Sequence, residues 1–168
     1  MADPVVEVTT NHGTFTIQLD PVKAPKSVAN FLGYVDAQHY DGTVFHRVIP
    51  TFMIQGGGFD QKLDKKPVQA PIVNEADNGL KNVRGTVAMA RTSDPHSATS
   101  QFFVNVTDNA FLDHQAKSGT GWGYAVFGTV IAGMETVDKI KGVKTGEMGP
   151  FAKDAPQQLV VITSVRRK

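Results

Sequence analysis

Cysteine is absent from the 168 residues. That excludes disulfides, thiolate metal sites and thiol nucleophiles together. No apolar run approaches the roughly 20 residues that a helix needs to span a bilayer. Charge of neither sign is in excess: 17 basic residues face 16 acidic ones, for a net +1. This balance argues against a broad nucleic-acid surface or a polybasic membrane surface. Internal repeats, low-complexity tracts and Ser/Gly linkers are also missing, and the length suits one domain, residues 1–168. The opening Met1-Ala2-Asp3-Pro4 has neither the basic segment nor the apolar stretch of a secretory signal. A cytoplasmic location is therefore expected, with a periplasmic mature form as the alternative.

What is present is a hydrophobic fraction of 40%, enough for a core without a metal or disulfide staple. It is arranged mostly as short alternating strands bounded by turn residues. Val6 and Val8, then Phe15, Ile17 and Leu19, alternate with polar residues on either side of Thr10-Asn11-His12-Gly13. Asn and Gly tolerate the positive φ of a tight hairpin, so residues 5–10 and 14–19 are predicted to pair antiparallel. A helix is predicted over Pro25 to Ala37, where Val28, Phe31, Leu32 and Val35 recur at helical spacing behind a proline in the first turn. A second fits Met134–Lys141. Further strands are predicted at Val44–Ile49, Phe52–Gln55, Thr86–Ala90, Phe102–Thr107, Ala125–Ile131 and Leu159–Val165. Strand and helix do not alternate regularly, which disfavours a parallel sheet. A mainly β barrel or sandwich of eight antiparallel strands, with two helices over its open ends, is expected. Residues 58–82 and 113–123 lack periodicity and read as long loops.

Most reactive chemistries find no support. Gln55-Gly56-Gly57-Gly58-Phe59 lacks the spacing of a phosphate or dinucleotide loop and reads as a bulge or close strand crossing. The five histidines show no i, i+4 pairing and no His-Glu-x-x-His, so no metal site is expected. No Gly-x-Ser-x-Gly elbow occurs. A serine hydrolase built from Ser97 or Ser100 with His46 or His114 can be drawn, as such common residues always allow. Asn105-Val106-Thr107 matches a glycosylation acceptor, but inside an apolar strand.

The stretch from Tyr40 to Gly57 is more informative. Arg47 stands in an apolar run, and arginine is almost never fully buried without a partner. On the next strand Met53 and Gln55 share a face, with Phe52 at the entry. Ser100-Gln101-Phe102-Phe103-Val104-Asn105 again sets an amide beside aromatics. These residues could form a shallow apolar pocket rimmed by Arg and amide groups, with no proton shuttle. On composition alone, Phe52, Met53 and Phe103 would ordinarily be core side chains, Gln55 and Gln101 would satisfy backbone groups, and Arg47 would pair with a surface carboxylate. Composition alone leaves a β-rich domain with an apolar groove.

The segment Phe45-His46-Arg47-Val48-Ile49-Pro50-Thr51-Phe52-Met53-Ile54-Gln55-Gly56-Gly57 closely resembles the signature of the cyclophilins, the peptidyl-prolyl cis-trans isomerases. Further matches are Asn74-Glu75, Gly85 to Ala90, Ser100 to Phe103, Val126-Phe127-Gly128 and Gly133-Met134, so the resemblance runs from about residue 5 to 165. Ala88-Met89-Ala90-Arg91-Thr92, His96-Ser97-Ala98 and Gly121-Trp122-Gly123-Tyr124 resemble the bacterial branch. The resemblance implies a closed eight-stranded antiparallel barrel capped by two α-helices, with a packed interior and the site on its outer face. It implies rotamase activity on X-Pro bonds of peptides and folding proteins, by a monomer with no cofactor and no covalent intermediate.

By position, Arg47 resembles the family's catalytic arginine, with Gln55 as the rim amide. Phe52, Met53, Phe103 and Leu112 resemble the lining of its proline pocket. Ala90, Arg91 and Gln101 resemble the segment that holds the substrate backbone, largely through main-chain contacts. Phe111 stands where many eukaryotic members carry tryptophan, and Tyr124 where they carry histidine. An indole N–H can donate to an inhibitor carbonyl and a phenyl ring cannot, so weak cyclosporin binding is expected. The alternative from another class is a proline-peptide binding module or chaperone that uses the same groove without catalysis.

Overall fold

The computed structural model describes residues 3–168. Its elements in chain order are β1 (Val5–Thr10), β2 (Gly13–Leu19), α1 (Pro25–Asp36), β3 (Thr43–Val44), β4 (Arg47–Ile49), β5 (Met53–Gly56), β6 (Thr86–Met89), β7 (Phe102–Asn105), β8 (Val126–Ala132), α2 (Met134–Lys141), β9 (Thr145–Met148), β10 (Phe151–Pro156) and β11 (Val161–Arg167). Single 3-10 turns occur at Ala76–Asn78, Ala110–Leu112 and Gly119–Trp122.

The first hairpin forms where the turn residues required it. Thr10 faces Gly13, Thr10 Oγ1 donates to the Gly13 carbonyl at 2.8 Å, and Gly13 takes a φ of +123°. Successive antiparallel pairings then give one nine-stranded sheet in the order β3-β11-β1-β2-β8-β6-β7-β5-β4, and β9 with β10 form a separate two-stranded ribbon. The expected closed eight-stranded barrel is therefore corrected to a curled sheet of nine strands that is not strictly closed. The cause lies in the stretch predicted as one strand, Val44–Ile49. Its start pairs with β11 and its end with β5, and Phe45-His46 between them belongs to neither ladder. The two outermost strands of the order are thus consecutive pieces of chain, and the sheet curls round on itself without a continuous ladder. The β9–β10 ribbon adds two strands to those predicted; Thr145–Met148 and Phe151–Pro156 bury only Ala155 and Pro156, and neither carries the apolar alternation that marks the others.

The interior is packed with side chains that alternate inward: Val6 and Val8 on β1, Ile17 and Leu19 on β2, Val48 on β4, Ile54 on β5, Val87 and Met89 on β6, Phe102 and Val104 on β7. Helix α1 covers one end and inserts Phe31 between Tyr40, Phe102 and Phe127, with ring centroids 5.1–5.5 Å away. Ala24 cannot cap this helix, and Pro25 opens it without an N–H to satisfy. The cap comes from a distant loop. Glu75 accepts from the Ser27 N–H at 2.6 Å, the Ser27 hydroxyl at 2.8 Å and the Lys26 N–H at 3.2 Å, and puts negative charge at the positive helix end. That contact also ties residues 74–76 to the first turn of α1.

His46, at the break between β3 and β4, is only 7% exposed and lies against Phe59 and Phe151, with ring centroids at 4.6 and 5.1 Å. Its Nδ1 has no hydrogen-bond partner. Burial, with the Arg47 charge as a smaller cause, lowers its pKa from 6.5 to about 4. The unfolded chain thus takes up this proton near 6.5 and the folded chain only near 4. The folded state is at full advantage above that window and loses it as pH falls, by up to about 3 kcal/mol once both states are protonated. His39, also lowered by burial and by Lys66, adds in the same direction. Asp36, Asp41 and Asp138, held low by arginine partners, add their loss only below the ordinary carboxylate range. Urea unfolding should show stability falling by about 2 kcal/mol between pH 7.5 and 5, with most of that fall abolished in His46→Leu. An equal fall in the variant would remove His46 as its source.

Candidate active site

Residues next to each other along a strand face opposite sides of the sheet. Across β4, β5, β7 and β6 the register aligns the outward residues in one row. Arg47 is opposite Gln55, Gln55 opposite Phe103, and Phe103 opposite Ala88, with Ile49 facing Met53 alongside. This quarter of the sheet is apolar on its outer face as well as its inner one. Met53, Ala88, Ala90, Phe103, Leu112 and Val126 are buried together there, with Ile49, Phe52, Leu80 and Tyr124 packed around them.

The centre of that outer cluster is open as a hollow of about 120 Å³, lined by Arg47, Phe52, Met53, Gln55, Ala90, Arg91, Phe103, Leu112 and Tyr124. Met53, 1% exposed, and Phe103, 4% exposed, belong to its floor rather than its rim. Nine of the eleven residues singled out from the sequence meet here. Gln101 lines an adjoining hollow of about 170 Å³ that shares Gln55, Ala90 and Arg91 and adds Lys65 and Val68. Phe111 does not line the first hollow; it is 67% exposed and sits at the edge, its ring 5.5 Å from that of Phe52. A larger cavity of about 350 Å³ shares Leu80 and Val126 with the outer cluster. It mixes Asp3, Asp20 and Lys81, with no buried unsatisfied group among its lining, so its size alone does not mark a reaction site.

The polar rim is a short relay. Arg47 Nη1 lies 3.5 Å from Gln55 Oε1, at the outer limit of a hydrogen bond, and Gln55 Nε2 donates to Gln101 Oε1 at 3.0 Å. Gln101 is seated because Gly58 has no side chain: a Cβ there would stand 2.5 Å from Gln101 Cγ. The glycine run is thus a close crossing, as its composition suggested. The Arg47 guanidinium carbon lies 5.9 Å from the Phe52 ring centroid. Among the described residues Arg47 has no carboxylate partner, whereas Arg84, Arg166 and Arg167 are each held by an aspartate at 2.6–2.8 Å. The reading of Arg47 as half of a surface ion pair therefore gives way to a free positive fork at the mouth of an apolar hollow.

Other supports had not been read from the sequence. Asn105, fully buried on the outer face opposite Met53, donates to Asn82 Oδ1 at 3.1 Å and Thr86 Oγ1 at 3.0 Å, and accepts from Asn109 Nδ2 at 2.8 Å. Asn109 Nδ2 also donates to the Phe52 carbonyl at 2.9 Å, which fixes the turn that presents Phe52. Asn105 is therefore a framework residue, closed to glycosylation. An asparagine inside an otherwise apolar strand was the visible signal, since a buried amide must find several partners. The Arg91 side chain likewise reaches more than a main-chain contact would need: Nε and Nη2 donate to the Gly123 carbonyl at 3.2 and 3.0 Å.

The family model for cyclophilin type peptidyl-prolyl cis-trans isomerase/CLD matches residues 5–167. Peptidyl-prolyl cis-trans isomerase cyp18 of Streptomyces antibioticus is 59% identical over 161 residues, covering 96% of each chain. Peptidyl-prolyl cis-trans isomerase B of Escherichia coli (strain K12) is 56% identical over 156 residues, 93% of this chain and 94% of that one. Among solved structures, a cyclophilin type peptidyl-prolyl cis-trans isomerase of Cryptosporidium parvum superposes with a TM-score of 0.79 at 24% identity, over 99% of this chain and 98% of that one. The same protein in the presence of the dipeptide Ala-Pro gives 0.79 at 25% identity, over 98% of both chains.

Proposed function

The chain belongs to the cyclophilin-type peptidyl-prolyl cis-trans isomerases and catalyses rotation about X-Pro bonds, and we propose that it does so by holding the proline ring in the apolar hollow while Arg47 stabilises the twisted imide. The observation that carries this mechanism is the Arg47 guanidinium, free of any carboxylate among the described residues, at the rim of that hollow.

An X-Pro bond has lost much of the usual trans preference, but resonance still leaves a rotation barrier of about 20 kcal/mol, so unaided exchange takes about 10–100 s. No bond to a nucleophile has to form. As the imide twists, resonance is lost and the prolyl nitrogen regains a lone pair that the planar ground state lacks. A guanidinium that donates toward this nitrogen, or orients the neighbouring carbonyl, binds the twisted form more tightly than the flat one. Differential binding of that kind lowers a barrier. Because Arg47 is not neutralised, its donors remain available to substrate; Gln55 orients the fork, and Gln101 orients Gln55. A hollow of about 120 Å³ is small beside the several hundred typical of drug-sized ligand sites and suits one small ring. Phe52, Met53, Phe103 and Leu112 supply the walls that grip it. The presence of Ala-Pro in a solved structure of the Cryptosporidium relative supports an X-Pro peptide as occupant.

Arg47→Ala is expected to lower kcat/KM by at least about tenfold, equivalent to about 1.4 kcal/mol in the barrier, with little loss of stability. A protease-coupled assay on a proline peptide reads this directly, and near-wild-type turnover would remove Arg47 from the mechanism. Since no side chain exchanges a proton, wild-type turnover in the same assay should be flat across the histidine range; a sharp bell near neutrality would indicate general acid–base chemistry. A binding module using the same groove would shift peptide populations only in proportion to its own amount, whereas the isomerase speeds exchange when present catalytically.

Phe111 is a phenyl ring standing out from the rim, with no N–H to offer an inhibitor carbonyl. Cyclosporin should therefore bind this chain more weakly than it binds members with tryptophan at that position. Titration yielding a nanomolar dissociation constant would contradict the argument.

A further inference from the structure

The chain has five arginines. Three are tied to aspartates, Arg47 has no carboxylate partner among the described residues, and Arg91 gives its guanidinium to backbone carbonyls and an aromatic face. Nε and Nη2 both point at the Gly123 carbonyl, and Nη1 donates to the Thr92 carbonyl at 2.8 Å. Its Cζ lies over the Tyr124 ring, 4.4 Å from the centroid. Tyr124 in turn meets Phe103, on the floor of the hollow, edge-on at 5.6 Å.

We propose that Arg91 is a positioning residue for isomerisation: it clamps the Gly121–Tyr124 turn onto the sheet and thereby sets the Tyr124 wall of the proline hollow. The proposal rests on reading that hollow as the proline site. The turn is held largely by contacts from outside itself. Residues 115–120 are exposed throughout, and Gly121 closes the loop mainly on itself, accepting from the Gln115 and Ala116 N–H groups. The loop rejoins the fold at Tyr124, whose N–H donates to the Leu112 carbonyl at 2.8 Å and whose carbonyl accepts from Asn82 Nδ2 at 3.3 Å, and at the Gly123 carbonyl just before it. The Gly123 carbonyl takes three donors, two from Arg91 and one from Asn74 Nδ2 at 3.1 Å. Without Arg91 it keeps one donor, and Tyr124 loses the cation on its face. Lysine retains the charge but offers neither the fork nor the plane. Asparagine at position 91 would be silent if only the main chain mattered there.

The loop carries its own reporter, since the single tryptophan, Trp122, lies between His96 and His114 with ring centroids at 4.9 and 5.2 Å. Coupled assays on a proline peptide should show KM raised about five- to tenfold in Arg91→Ala, Arg91→Asn and Arg91→Lys, with kcat within about twofold of wild type. Tryptophan emission of the substrate-free variants should shift to the red and become more accessible to acrylamide. Combining Arg91→Ala with Tyr124→Ala should raise KM no further than Tyr124→Ala alone. Unchanged KM in all three single variants overturns the proposal, as does a fall in kcat at constant KM, which would make Arg91 a participant in the chemistry. Altered emission with unchanged KM also overturns it, because the loop would then not set the site. Should Arg91→Ala lose its cooperative thermal transition, Arg91→Lys carries the same test. Failure of the hollow itself as the proline site is read separately, from an undiminished kcat/KM in Phe52→Ala, which opens one of its walls.

Discussion

Everything at the functional face depends on one quarter of the sheet being apolar on both sides. Elsewhere an antiparallel sheet of this kind buries one face and wets the other. Across β4, β5, β7 and β6 the inward residues Val48, Ile54, Phe102, Val104 and Val87 join the interior, while Met53, Phe103 and Ala88 form a second cluster outside. A flat outer cluster would be an exposed patch. Here the turns bearing Phe52, Leu112 and Tyr124 rise around it and leave a small dent in place of an open surface. The strand register lays Arg47 and Gln55 beside that dent, so shape and charge follow from the same ladder.

The loops that build the rim are fastened by buried amides more than by hydrophobic contact. Asn82, Asn105 and Asn109 form a closed network under Phe52, and Asn74 reaches from below α1 to Gly123. Satisfied networks of this kind are rigid, because each lost partner would leave a polar group dry. Glu75 caps α1 from the segment that also contains Asn74, so helix and rim share one anchoring stretch. Rigidity suits the proposed mechanism, in which a site that tells a twisted imide from a flat one cannot itself yield by the same amount.

Much of this was legible along the chain. The hairpin around Gly13, both helices and the strands with inward-alternating valines and phenylalanines were predicted close to their observed limits, because burial on one face writes itself as a period of two or 3.6. The β9–β10 ribbon was not, since strands that bury neither face carry no such period. Nor was the interruption at Phe45-His46, which depends on where β11 and β5 lie and not on any local preference. Arg47, Gln55 and the aromatic residues stood out as anomalies in apolar runs, and the family resemblance gathered them into one site. The side-chain reach of Arg91 was missed because the carbonyl it holds lies 32 residues away.

The sequence by itself determined the alternation, the hairpin turn, the helices and the identity of the family, all of which rest on local pattern or on a long contiguous motif. It also determined that no thiol or disulfide could take part. Tertiary structure alone decided that Met53 and Phe103 face out of the sheet as a floor, since an apolar run with two buried faces gives the same letters as ordinary core. It decided too that, among the described residues, Arg47 meets no carboxylate while three other arginines find aspartates. Ion pairing depends on which surfaces the fold brings within a few ångströms of each other, and no single stretch of chain contains that distance.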